Sequence, residues 1–163
     1  MTEWRSLTAP EVANLAARLR SLEWSWLLTD VPALATEFGW TVERIGPSSA
    51  RLDTGFGMAS GDVSGGSERL GRIRVQVTDF ADDDSAGRAR VRDAFTDMAV
   101  AITGALGSPT LREPGKEAEI RWAGAETTVR LWQFTSSVSL FLMTNALLAT
   151  EDQITEMDEQ GLL

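Results

Sequence analysis

Leu52-Asp53-Thr54-Gly55 holds the most chemistry of any short segment in the chain. An Asp-Thr-Gly carries the carboxylate of an aspartic peptidase, where two carboxylates about 3 Å apart share one proton. The sequence contains one such tripeptide, so this chemistry would need a homodimer with Asp53 from each copy. Phe56 follows where a small residue is expected, and three-residue motifs recur by chance. A homodimeric aspartic peptidase using Asp53 is therefore the remote reading. The glycines that follow, in DTGFGMASGDVSGG, suggest phosphate binding. A dinucleotide fingerprint needs a helix directly after its glycines. Here Phe56 to Val63 reads as a strand, and no Gly-Lys-Ser/Thr exists for a P-loop. The expectation is a glycine-rich strand, 55–66, where the sheet bends or another backbone comes close.

Other catalytic routes are closed by composition. The chain has no Cys and no His. A thiol nucleophile, a zinc–cysteine site and a Ser-His-Asp triad are all excluded. Asp82, Asp83 and Asp84 lack the alternating spacing of a calcium loop. No metal, no cofactor and no enzymatic activity are expected.

Charge points instead to a protein partner. The net charge is −9, and two runs account for it. Asp79, Asp82, Asp83 and Asp84 form the first; Glu151, Asp152, Glu156, Asp158 and Glu159 form the second. Phosphate backbones select clustered positive charge, so nucleic acid and anionic membrane are not expected partners. A basic protein, such as a toxin domain, would be steered toward acidic runs. The ordinary alternative is a solvated surface, with the second run a tail. Trp24 and Trp26 add two candidate interface anchors. The candidate partner-binding residues are thus Trp24, Trp26, Asp82, Asp83, Glu151, Asp152, Glu156, Asp158 and Glu159.

These residues need elements to position them. Thr8 and Glu11 have capping-box spacing and Pro10 suits a first turn, so a helix starts here. Val12, Leu15, Ala16, Leu19 and Leu22 supply its apolar stripe. Asp30, Pro32 and Gly39 bracket a second helix. Strands are predicted at Trp40–Ile45, Ala50–Thr54, Phe56–Val63 and Arg72–Thr78. In the last, Ile73, Val75 and Val77 face inward and Arg72, Arg74, Gln76 and Thr78 face water. A long helix at about 84–106 follows, with aspartates at its start and Val91, Phe95, Met98, Ile102 and Leu106 buried. Three more strands span about 117–144, and Val138–Thr144 is apolar enough to be covered on both faces. An acidic segment, 146–163, holds a short helix with Ile154 and Met157 three apart.

The order of helices near 9–38, strands near 40–78, a long helix and strands again gives one α+β domain over 1–163. Its sheet is largely antiparallel, of about seven strands, with the N-terminal and long helices on one face. The start, MTEWRSLTAP, lacks the apolar run of a signal peptide. Leu140–Met143 is too short to span a bilayer. The expected location is cytoplasmic.

MTEWRSLTAPEVANLAARLRSLEWSW, LDTGFGMASG, VTDFADDDSAGRARVRDAF, RWAGAETTVRL and DEQGLL together resemble an actinobacterial family of uncharacterised small proteins. Fourteen arginines to one lysine fit such a high-GC source. The layout also resembles immunity proteins that neutralise toxins, and adaptor folds of the secretion-chaperone type. The resemblance implies a binding module: an immunity protein first, or a chaperone of a secreted protein, with a homodimer possible. It assigns no activity to any residue.

Overall fold

The computed structural model describes residues 3–66 and 69–162. Met1, Thr2, Ser67, Glu68 and Leu163 lie outside that set, so the turn that Ser64-Gly65-Gly66-Ser67 predicts from composition is described only as far as Gly66. Helix α1, Ala9–Arg20, starts on the expected capping box. The Glu11 backbone N–H donates to Thr8 Oγ1 at 3.3 Å, and the Thr8 N–H donates back to Glu11 Oε1 at 2.9 Å. Val12, Ala16 and Leu19 form its buried stripe. The chain then runs without regular structure to a 3₁₀ turn at Leu28–Asp30 and helix α2, Val31–Phe38. Gly39 closes α2 at φ 74°, a left-handed conformation that a side chain would strain. Asp30 does not cap α2 through its side chain as expected; its carboxylate instead accepts from Ser25 Oγ at 2.6 Å.

Four strands follow: β1 Thr41–Ile45, β2 Ala50–Asp53, β3 Gly61–Gly65 and β4 Leu70–Gln76. Helix α3, Ser85–Leu106, leads to β5 Leu111–Glu113, β6 Glu119–Ala123, β7 Thr127–Gln133 and β8 Val138–Thr144. Helix α4, Asn145–Glu159, begins directly after β8. One sheet of eight strands results, in the order β1-β2-β3-β4-β8-β7-β6-β5, with every pair antiparallel. It is two four-stranded meanders joined through their last strands. The eighth strand beyond the expected seven is β5. It is three residues long and lies between Pro109 and Pro114, so it carries no alternation to read.

Helices α1 and α3 pack on each other and on the inner face of the sheet. Val91, Phe95, Met98 and Ile102 of α3 meet Ile73, Val75, Trp122, Val129, Leu131, Leu140 and Leu142. Each such large side chain contributes about 1.5–3 kcal/mol of hydrophobic stabilisation. β8 is buried on both faces from Val138 to Met143, as its composition predicts. The outer face is less wet than expected, because Gln76 and Thr78 are 3 % and 0 % exposed. Gln76 Nε2 donates to the Thr78 carbonyl at 2.6 Å, and Thr78 Oγ1 accepts from the Val138 N–H at 3.1 Å.

The glycine-rich stretch is not one strand. Residues 54–60 form a loop, and β3 starts only at Gly61. Gly55 and Gly57 have φ of 121° and 97° with open space around them, so conformation demands glycine there, not closeness. Gly61 and Gly65 are the close approaches. A Cβ on Gly61 would overlap the Thr54 methyl, and one on Gly65 would overlap the Gly71 backbone across a β-bulge.

Candidate protein-binding surfaces

Asp53 closes the 54–60 loop. Its Oδ1 accepts from the Gly55 N–H at 2.9 Å, the Gly57 N–H at 3.2 Å and Ser60 Oγ at 3.4 Å. Glu43 accepts from the Ala59 N–H at 2.7 Å and completes the loop. These bonds give Asp53 a structural task. Among the described residues, no group of three or more acidic side chains is placed to hold a metal ion.

The first acidic run surrounds an exposed aromatic ring. Asp84 caps α3, its Oδ1 accepting from the Gly87 N–H at 2.7 Å. Asp83 pairs with Arg88 at 3.2 Å and stays 83 % exposed. Asp79 is held by the N-terminal segment: its Oδ2 accepts from the Arg5 N–H at 2.8 Å, and its carbonyl accepts from Trp4 Nε1 at 3.1 Å. Between Asp79 and Asp82 stands Phe80, 69 % exposed. Glu3, Trp4, Asp79, Phe80, Asp82 and Arg90 line a cleft of about 340 Å³. Arg5 also donates to the Gly55 carbonyl at 2.8 Å and lies over the Phe56 ring, tying the glycine loop to this end. Trp4 and Phe80 were not legible as site residues. The available signal was an aromatic residue inside an acidic run, outside any periodic pattern.

The second acidic run is a helix on the outer sheet face, not a solvated tail. Strand register lines up Arg44, Arg51, Asp62, Arg74, Phe141, Arg130 and Arg121 in one row from β1 to β6. Helix α4 crosses part of this row. Glu151 pairs with Arg72 at 3.0 Å and with Arg130 at 3.8 Å. Asp152 accepts two bonds from Arg121, at 2.7 and 2.8 Å, a bidentate pair. Arg130 also donates to Glu119 and stacks 3.8 Å from the Trp132 ring centre. Burial pushes the Glu119 pKa up, but hydrogen bonds from Arg130 and Arg121 outweigh it and the net shift is down. The hydrogen bond from Arg121 lowers the Asp152 pKa, and the same bond raises that of Arg121. Leu148 is buried against Phe141 and Met143. Glu156, Asp158 and Glu159 are exposed at the far end of α4.

Trp24 and Trp26 are both half-buried, 5.2 Å apart between ring centres, and packed against the main core. Helix α1 has already ended, which lets residues two apart share a side. Trp26 sits at φ 61°, and its carbonyl accepts from the Leu70 N–H at 2.9 Å. The structure therefore separates the predicted candidates into three places: the Phe80 end, the α4 face and this tryptophan pair.

A family model matches residues 10–144. The chain belongs to the family of unknown function DUF6301. No curated protein and no solved structure matches it. The DUF6301 match starts in the first turn of α1 and ends at Thr144, the last residue of β8. It spans both meanders and α3, and α4 lies beyond it. No helix among the described residues of this DUF6301 chain is long and apolar enough to cross a membrane.

Proposed function

We propose that this protein is a non-enzymatic, cytoplasmic protein-binding module, most concretely an immunity protein that neutralises a cognate toxin with a basic surface. The observation that carries this reading is Phe80, an exposed aromatic ring set among Asp79, Asp82 and Asp83. A central aromatic anchor with a charged rim is how many protein interfaces gain affinity. The carboxylates would speed encounter with a basic partner and reject acidic ones. Having no Cys and no His supports a binding role.

The test is co-expression with a toxin domain encoded in an adjacent gene. The complex should co-purify, weaken as salt rises, and lose about thirtyfold in affinity on Phe80→Ala. A neighbouring toxin domain that shows no binding at low salt would sink the reading.

A chaperone or adaptor for a secreted protein is the second reading. Trp132 and Phe134 favour it, since both are half-buried on the outer face beside Phe141. That reading requires a homodimer, so a strictly monomeric mass by light scattering would count against it.

A further inference from the structure

Helix α4 meets the sheet through Asn145 at its start, Leu147 and Leu148 next, and Glu151 and Asp152 one turn later. Leu148 is its one fully buried residue, although the helix runs for fifteen. Its first turn is held by Asn145, which accepts from Thr128 Oγ1 at 2.7 Å and donates to the Gly124 carbonyl at 3.0 Å, and its later turns by charge, through Arg72, Arg121 and Arg130. Those arginines are positioned by the sheet itself. Arg72 donates from Nε and Nη2 to Ser64 Oγ at 3.1 and 2.9 Å. Arg121 and Arg130 both donate to Glu119, and Arg130 lies on Trp132. The receptor face is therefore built from strand residues before α4 adds anything. Without α4, three guanidinium groups would face the one carboxylate of Glu119 beside an apolar floor of Phe141 and Met143.

A second observation comes from the family match. It covers every strand that builds this face and stops at Thr144, one residue before α4 begins. The matched region thus contains the strands of the arginine-lined face, and α4 lies outside it.

We infer that this face is a docking site for an acidic amphipathic helix of a protein partner, and that α4 is its resident, displaceable occupant. The recognition chemistry is that of α4: an apolar side chain set between Phe141 and Met143, with carboxylates one turn later on Arg72, Arg130 and Arg121. The site is separate from the Phe80 end and takes a partner of opposite charge, so it survives if the immunity reading fails.

The test uses the full-length protein and a fluorescent peptide with the sequence of residues 144–160. Glu151→Gln with Asp152→Asn in the protein loosens α4 while leaving the receptor arginines intact. The peptide should bind this variant about tenfold or more tighter than wild type, and roughly 0.5 M salt should reverse the gain. A peptide carrying the same two neutral substitutions should not bind. Adding Arg121→Gln and Arg130→Gln to the loosened protein should abolish binding. Absence of peptide binding by a loosened protein with native circular dichroism overturns the proposal. Hydrogen exchange on the wild-type protein decides the matter if the variant does not fold. Amides of α4 should then exchange by a local opening that salt accelerates, while sheet amides stay protected. If α4 exchanges only with global unfolding, the helix is a fixed part of the fold and the proposal fails.

Discussion

Residues 79–84 carry four aspartates and residues 151–159 carry five acids, so as sequence the two runs look alike. In the structure the first stays largely at the surface around Phe80, with Asp84 capping α3 and Asp79 half-buried against Arg5. The second loses its two leading carboxylates to arginines of the sheet. What separates them is the ground beneath. The first run lies on a loop at the start of α3, with an exposed pair from Asp83 to Arg88 and a looser one from Asp79 to Arg5 at 3.8 Å, neither from the sheet. The second follows a strand whose outer face, together with its neighbours, presents Arg72, Arg121 and Arg130. A charge run is available to a partner only where the fold has laid no opposite charge under it.

Removing the ground should therefore have the largest effect. Arg130 is 7 % exposed at its side chain and serves Glu119 and Glu151 at once. Arg130→Met leaves Glu119 half-buried with a single remaining arginine, at a cost of about 2–4 kcal/mol in urea unfolding. Glu119→Gln in the same background should recover part of that loss. No loss from Arg130→Met would mean that the most buried arginine of this face contributes nothing to it, and the contrast between the runs would rest on Arg72 and Arg121 alone.

Acid should act next, and on the second run first. Glu119 and Asp152 have pKa values lowered by their arginines. A carboxylate lowered in the folded state contributes stability above the ordinary carboxylate range. That stability is lost as pH falls below this range, through the folded-state values. Protection of α4 amides should fall in that window before protection of β7 and β8 does. Simultaneous loss across all three elements would show that α4 has no separate stability.

Local signals in the sequence mapped onto the fold well. The Thr8–Glu11 box, the alternation of β4 and the stripe of α3 each involve residues within a few positions of one another, and each appears where expected. Most of the failures depended on tertiary partners or on side-chain bonds that no periodicity reports. Loop 54–60 looked like a strand because Phe56 and Met58 alternate with small residues, but the carboxylates of Asp53 and Glu43 fold it. The β5 strand exists only by pairing with β6. Glu151 meets Arg72 across 79 positions, and no spacing rule connects them. For the same reason the alternative of a solvated tail stayed open for the second run. Phe80 was missed for a different reason: exposure of one ring depends on what the neighbouring segment Trp4–Leu7 covers, and that bridge is made through Ser6 and Thr78.

The smallest effects lie within the first run and divide its members by role. Asp84→Ala removes the N-cap of a 22-residue helix and should cost about 1 kcal/mol, read as a lower midpoint in urea. Asp83→Asn removes an exposed pair with Arg88 and should change stability by less than about 0.5 kcal/mol. Its effect belongs elsewhere: affinity for a basic partner should fall modestly, mainly through a slower on-rate at low salt. If Asp83→Asn instead destabilises the protein as much as Asp84→Ala does, the aspartates act together as a cap. The first run would then be structural too, and Phe80 would stand alone as the argument for that surface.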